Sequence, residues 1–224
     1  MNNRVVVITG ATGVLGKLTA HHFAAQGDSL ALLSNDRGHL ESLASELNLP
    51  SDRILIHVVD LLDAGVTRQA ADAVIDKYKH VEVLIHLVGG WTGGKTITEA
   101  GAEELTFMLN QHAWTTFHLF QAFTPALASS REGRVIAITS PVTLNPAPKL
   151  GMYSAAKAAQ ENLVLTLAEE LRETGVTANV IQVKSIDVKH TGKGTTPEEI
   201  VSAIHFLCSR EAGKITGARI PLYR

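Results

Sequence analysis

One cysteine in 224 residues, Cys208, excludes a disulfide within the chain. A lone thiol suits a reducing cytoplasm, which is the expected compartment. Cys208 ends the apolar run Ile204–Cys208 and reads as a small buried hydrophobe. An excess of charge of either sign is also lacking. The 20 basic and 22 acidic residues leave a formal net charge of -2 without a block of like charges. No nucleic-acid or anionic-membrane partner is therefore expected. No apolar stretch approaches the ~20 residues that a membrane span needs. Met1 is followed almost at once by a strand pattern, so no signal peptide is expected. Internal repeats, low-complexity segments and long linkers are missing. The ten histidines carry no metal signature: His21 and His22 point to different faces of a helix, and His112 and His118 are not at ligand spacing. With no cysteine pair and no His-Glu-x-x-His, no metal is expected. A serine-hydrolase elbow, Gly-x-Ser-x-Gly, is absent as well.

What is present is a hydrophobic content of 45% with 19% charged residues, enough for an ample core in one domain spanning residues 1–224. Apolar β-branched runs alternate with amphipathic stretches. The pattern predicts strands at Val5–Ile8, Leu30–Leu33, Ile54–Val59, Val83–Val88, Val135–Thr139, Val176–Val183 and Arg219–Leu222. It predicts helices at Val14–Gln26, Leu40–Leu47, Ala64–Tyr78, Met152–Thr174 and Pro197–Ser209, and a long helical region ending near Ser130. Strands that read as continuous apolar runs are buried on both faces. The expected fold is thus α/β, a single doubly wound Rossmann domain with a roughly seven-stranded parallel sheet and helices on both faces. Ligands of such sheets bind at the carboxyl ends of the strands.

The first strand runs through Gly10-Ala11-Thr12-Gly13-Val14-Leu15-Gly16 directly into a helix. Gly10, Gly13 and Gly16 permit a tight turn, close approach of backbone to a pyrophosphate and close helix–strand packing. The helix start then offers free N–H groups to phosphates. Asp60, followed by Leu61, ends the third strand, where an acid either reaches an adenine amino group or caps the next helix. After the second strand comes Ser34-Asn35-Asp36-Arg37. A free ribose 2′-hydroxyl wants a carboxylate at that tip, whereas a 2′-phosphate wants arginine and small donors. Ser34 and Arg37 favour NADP(H); Asp36 keeps NAD(H) open. Gly192–Gly194 with Lys193 resembles a small phosphate loop but lacks the strand-to-helix context, and reads as a mobile loop.

Tyr153 and Lys157 are four apart on a predicted helix and leave the same face. An ammonium beside a phenol favours the phenolate and lowers its pKa from the usual value near ~10, which makes a usable acid or base. Ser140 follows a strand and can donate to a substrate oxygen.

Together these residues resemble the short-chain dehydrogenase/reductase family over nearly the whole chain. The family's catalytic tetrad looks like Asn110, Ser140, Tyr153 and Lys157 here, with Ser140 thirteen residues before Tyr153. The resemblance implies hydride transfer between C4 of a nicotinamide and a carbonyl or alcohol carbon. It implies Tyr153 as proton donor, Lys157 on the nicotinamide ribose, Ser140 on the substrate oxygen and Asn110 holding a water of the proton relay. It also implies pairing of the helices Thr106–Ser130 and Met152–Thr174 between subunits, hence a homodimer or homotetramer.

The departures are specific. The family's Asn-Asn-Ala-Gly after the fourth strand is His86-Leu87-Val88-Gly89, and His86 reads as a hydrogen-bonded structural histidine. The usual Pro-Gly after the sixth strand is Lys184-Ser185, and only Ile186–Thr196 follows before the next helix, so the chain is nearly without a lid. The end, Ile220-Pro221-Leu222-Tyr223-Arg224, lacks the usual Asp-Gly-Gly. Gly89-Gly90-Trp91-Thr92-Gly93-Gly94 is similar to a stretch in dihydropteridine reductases. Val88, Gly89 and Gly90 would let backbone approach the cofactor, and Trp91 could stack on a flat substrate. Three readings follow: a carbonyl or alcohol oxidoreductase, a pterin-type reductase, and a binding module that senses the dinucleotide.

Overall fold

The computed structural model describes residues 4–130 and 132–223. Met1 and Arg224, at the two ends read above, lie outside the described residues. Among the described residues seven strands form one sheet: β1 (Val5–Thr9), β2 (Ser29–Ser34), β3 (Ile54–Val58), β4 (Val83–His86), β5 (Arg134–Thr139), β6 (Thr177–Gln182) and β7 (Arg219–Pro221). Their order is β3-β2-β1-β4-β5-β6-β7, and every pairing is parallel. Side chains alternate across the pleat. Val5 and Val7 enter one core with α3 (Ala64–Tyr78), α5 (Thr115–Ser129) and α6 (Gly151–Glu170). Val6 and Ile8 enter the other with α1 (Val14–Ala25), α2 (Arg37–Leu47) and α7 (Pro197–Leu207). The expected doubly wound sheet is therefore what the chain forms. No helix among the described residues is long and apolar enough to cross a membrane.

Three local differences from the sequence expectation bear on the site. β4 stops at His86, two residues short, because Leu87 and Val88 leave the ladder to pass over the first turn. A Cβ on Gly10, whose φ is +68°, would come within 3.1 Å of both their backbones. The long helical region is not continuous: α4 (Ala102–Leu109) passes into a π-turn over Asn110–Trp114 before α5 begins. There the Thr115 and Thr116 hydroxyls donate back to the carbonyls of Gln111 and His112, at 2.9 and 2.6 Å. Such back-bonding and inserted turns loosen the ordinary ladder. Finally, Gly192–Lys193 is folded onto a carboxylate. Asp187 accepts from the backbone N–H of Thr191, Gly192 and Lys193 at 2.9, 2.6 and 3.3 Å. Those N–H groups hold Asp187 below the usual carboxylate range. The loop that resembles a phosphate loop in sequence is closed by the chain's own anion.

The tightest point of the fold is the first crossover. A Cβ on Gly16 would lie 2.2 Å from the Gly10 carbonyl oxygen and 2.8 Å from Ala11 backbone atoms. Gly16→Ala is expected to lower stability by about 1–3 kcal/mol in urea denaturation. Gly38→Ala, inside α2 with its nearest neighbour 3.7 Å away, is expected to leave stability unchanged or raise it by up to about 1 kcal/mol.

Candidate functional site

The glycine turn, the segment after β4 and the start of α6 meet at the carboxyl edge of the sheet. Two adjoining cavities lie there, of about 470 and 290 Å³. Gly10, Gly13, Leu87, Val88 and Gly89 line both. The smaller one carries Thr12, Ser34, Asn35, Asp60 and Leu61, together with Gln111. The larger one carries Val14, Leu15, Gly16, Gly90, Trp91, Tyr153 and Lys157. Most of the residues predicted for a cofactor are thus brought to one cleft. Arg37 is not among those lining it: its side chain is 72% exposed and stands 3.8 Å from Glu41. α1 starts on Gly13 with no side-chain cap. Its first N–H groups therefore have no side-chain acceptor, as an anion site at a helix start requires. The uncapped turn and the glycine-lined cleft fit a dinucleotide.

Local bonds explain the smaller cavity. Thr12 Oγ1 and Ser34 Oγ are 2.7 Å apart, and Ser34 is buried. Asp36 caps α2, accepting from His39 N at 2.9 Å, and its carboxylate also contacts the His39 ring at 2.8 Å. Asp60 accepts from Leu62 N at 2.9 Å, while the cap of α3 is Asp63. Of the two readings of Asp60, the helix-cap role falls to its neighbour.

A third cavity, of about 570 Å³, adjoins the larger one. Ser140, Pro141, Val142 and Leu150 line it, and it shares Trp91, Tyr153 and Lys184 with that cavity. Ser140 is 3% exposed at the end of β5, whereas Trp91 is 64% exposed. Asn110 opens the π-turn, its carbonyl accepting from Thr115 N, and lines none of the three cavities. Its neighbours Gln111 and His112 do so instead. Neither was selected by sequence reasoning, and their only signal was adjacency to Asn110.

The buried charges set the electrostatics. Lys157 is 7% exposed and donates to Ile138 O and Gln160 Oε1, both at 2.9 Å. Burial pulls its pKa down to about 7, with Glu161 opposing the fall. Its Nζ sits 6.0 Å from the centroid of the Tyr153 ring. The expectation that Lys157 depresses the phenol is corrected here. Burial raises the Tyr153 pKa, and the influence that lowers it is a hydrogen bond with Ser140. Helix spacing made the two side chains neighbours, but the ammonium turns toward backbone and amide acceptors.

Glu161, one turn beyond Lys157, is 2% exposed. It accepts from Thr139 Oγ1 at 2.9 Å, Gln182 Nε2 at 3.1 Å and Arg219 Nε at 2.5 Å. Thr143 Oγ1 lies 3.1 Å from both Glu161 and the Ser140 carbonyl. This network ties β5, β6, β7 and α6 together behind the serine.

His86 and His112 are each 1% exposed. His86 Nδ1 lies 2.7 Å from Thr9 Oγ1, as expected of a hydrogen-bonded structural histidine. His112 Nε2–H donates to Gly90 O at 2.9 Å. Burial, reinforced by the Lys157 charge, pushes both imidazoles down to about 3. Cys208 is buried too, its thiol pushed up to about 12. Among the described residues no group of three or more His, Cys, Asp or Glu side chains is arranged to hold a metal ion.

A parallel sheet with a glycine turn at its first crossover characterises α/β folds that bind dinucleotides, and Ser140, Tyr153 and Lys157 stand beside the resulting cleft. A family model described as short chain dehydrogenase matches residues 4–199, and the chain belongs to that family of NAD(P)-dependent oxidoreductases. It is 27% identical over 191 residues to an uncharacterized oxidoreductase of Staphylococcus epidermidis, covering 85% of this chain and 81% of the relative. It is 24% identical over 234 residues to the 3-oxoacyl-[acyl-carrier-protein] reductase FabG of Thermotoga maritima, covering 97% and 95%. Its fold is similar to a 3-ketoacyl-(acyl-carrier-protein) reductase of Brucella melitensis complexed with NADH, with a TM-score of 0.88 at 21% identity, covering 98% of this chain and 96% of that one.

The buried histidines give a pH prediction. Between pH 6.5 and about 3 the unfolded chain binds protons on His86 and His112 that the folded chain refuses, so stability falls as pH falls through that window. Urea denaturation at pH 7 and pH 5 is expected to show this loss, and a smaller one in His86→Asn. An equal loss in the variant would mean His86 is not held neutral.

Proposed function

We propose that the chain reduces a carbonyl, or oxidises the corresponding alcohol, on a small organic substrate, with NADP(H) as the favoured cofactor and NAD(H) as the second option. The observation that carries this reading is that Tyr153 stands where the cofactor-side cavity meets the cavity lined by Ser140. A bound dinucleotide would supply the hydride chemistry from its nicotinamide. Gly10, Gly13 and the uncapped start of α1 would hold its pyrophosphate. Asp60 and Leu61 would meet its adenine end, and Val88, Gly89 and Gly90 its nicotinamide end.

Tyr153 would donate a proton to the substrate oxygen, and its raised pKa keeps it a protonated donor at neutral pH. Ser140 would donate to the same oxygen and hold it in line. Lys157, fixed by Ile138 O and Gln160, has one N–H left for the cofactor's ribose. Asn110 would act through a relay water. NADP(H) is favoured because the tip of β2 carries the hydroxyl of Ser34, with that of Thr12 from the glycine turn beside it, while Asp36 is occupied with His39. Arg37, with only a loose pair to Glu41, is free to swing to a 2′-phosphate.

The exposed, cavity-lining Trp91 favours a second reading, a pterin-type reductase that stacks a flat ring on the indole. The altered Lys184-Ser185 turn motivates a third, a dinucleotide-sensing module without fast turnover. The exposed Trp114 and Phe117 on and beside α5 support a homodimer or homotetramer as the proposed assembly, and the proposed compartment is the cytoplasm.

Tyr153→Phe is expected to lower kcat by about 10²–10⁴-fold, the usual worth of a positioned acid, with cofactor affinity nearly unchanged. Stopped-flow reduction of a carbonyl panel with the wild type and variant checks this. Near-native turnover in the variant would remove Tyr153 from the mechanism.

A further inference from the structure

Among the described residues only Trp91, Tyr153 and Lys184 line both the cofactor-side cavity and the cavity beyond Ser140. The first two have roles in the reading above; Lys184 does not. We propose that Lys184 selects carbonyl substrates that carry a carboxylate, by receiving that group at the mouth of the substrate cavity. This rests on the oxidoreductase reading and names its substrate class.

The charge balance of the cleft is the first argument. The chain has more acidic than basic residues, yet among the described residues no Asp or Glu lines either cavity, whereas Lys157 and Lys184 do. The Lys157 ammonium is buried and bonded to Ile138 O and Gln160. Lys184 is exposed, and its ammonium has no ion pair or hydrogen bond with any described residue. On its other side Lys184 borders a cavity that carries Glu199, but toward the two cavities that meet at Tyr153 it is an unpaired cation without a described carboxylate in the lining, which raises the local concentration of anions there.

Its anchorage is the second argument. Val183 N donates to Thr139 O at 3.0 Å, and Thr195 N donates to Ser185 O at 3.0 Å. Ser185 Oγ donates to Lys193 O at 3.0 Å, and Gly194 packs so close that a Cβ there would lie 2.7 Å from Ser185 O. The backbone on both sides of Lys184 is thus pinned while its head group is free, an arrangement that limits the ordering cost of binding.

The third argument separates a carboxylate from a phosphate. A phosphate-binding loop uses several backbone N–H groups. Those of Thr191, Gly192 and Lys193, the nearby candidates, are taken by Asp187. What remains is a single ammonium, suited to a monoanion, above walls of Trp91, Leu150, Val142 and Pro141 that suit a short apolar or flat body.

The test compares 4-acetylbenzoate, 4-formylbenzoate and 4-oxopentanoate, each with its methyl ester, in wild type, Lys184→Gln and Lys184→Arg. Three readouts are taken: kcat/KM, NADPH affinity, and equilibrium binding of each compound to the NADP⁺-loaded protein by tryptophan fluorescence. The wild type is expected to prefer acids over esters by about tenfold or more, the usual worth of a hydrogen bond to a charged group. Lys184→Gln should lose that preference with ester rates and NADPH affinity unchanged, and Lys184→Arg should keep it. Acid preference surviving in Lys184→Gln, or esters equal to acids in the wild type, overturns the proposal. So does a loss of NADPH affinity with equal losses for acid and ester, which would assign Lys184 to the cofactor. Acids that bind through Lys184 without being turned over would support the anion site and count against the oxidoreductase reading. No turnover and no acid binding would overturn the proposal.

Discussion

The whole molecule depends on burying a parallel sheet on both faces. Parallel sheets are covered on both faces, and the inner strands β1, β2, β4, β5 and β6 are almost fully buried, with two mainly apolar cores on either side. Polar chemistry is thereby driven to one edge, where the chain leaves β1, β4, β5 and β6 and enters its helices or loops. That edge collects the glycine turn, the Gly89–Gly90 segment, Ser140 and Lys184 without any of them being close in sequence.

Placing polar groups behind that edge has an energetic consequence. Lys157, Glu161, His86 and His112 are almost fully excluded from water, and each is accommodated differently. The two imidazoles stay neutral. Lys157 keeps two strong acceptors. Glu161 gathers hydroxyl, amide and guanidinium donors from three strands. A buried charge deprived of its partners costs several kcal/mol, so these bonds hold the edge in one arrangement. The serine and the lysine are consequently positioned by strands and a helix rather than by loops, which favours precise geometry.

Much of this was legible in the sequence. β-branched runs such as Val5–Ile8 and Val135–Thr139 name buried parallel strands, and Ala64–Tyr78 forms a helix with the bounds that its pattern predicts. The glycine triad and the Ser–Tyr–Lys spacing led to the cleft and to the family. What was not legible depended on where side chains turn. The region from Ala102 to Ser129 has one continuous helical pattern, yet a π-turn at Asn110 presents Gln111 and His112 to the cleft. Tyr153 and Lys157 are neighbours by spacing, but tertiary acceptors draw the ammonium away. A glycine loop with a lysine looks open to anions until the fold brings Asp187 into it.

The central claim is that the cleft at the carboxyl edge is a dinucleotide site that ends at Tyr153. Its most direct test is a fluorescence titration of the purified chain with NADPH and, separately, NADH. The account predicts saturable binding, tighter for NADPH through Ser34 and Arg37. Failure of both cofactors to bind would contradict it.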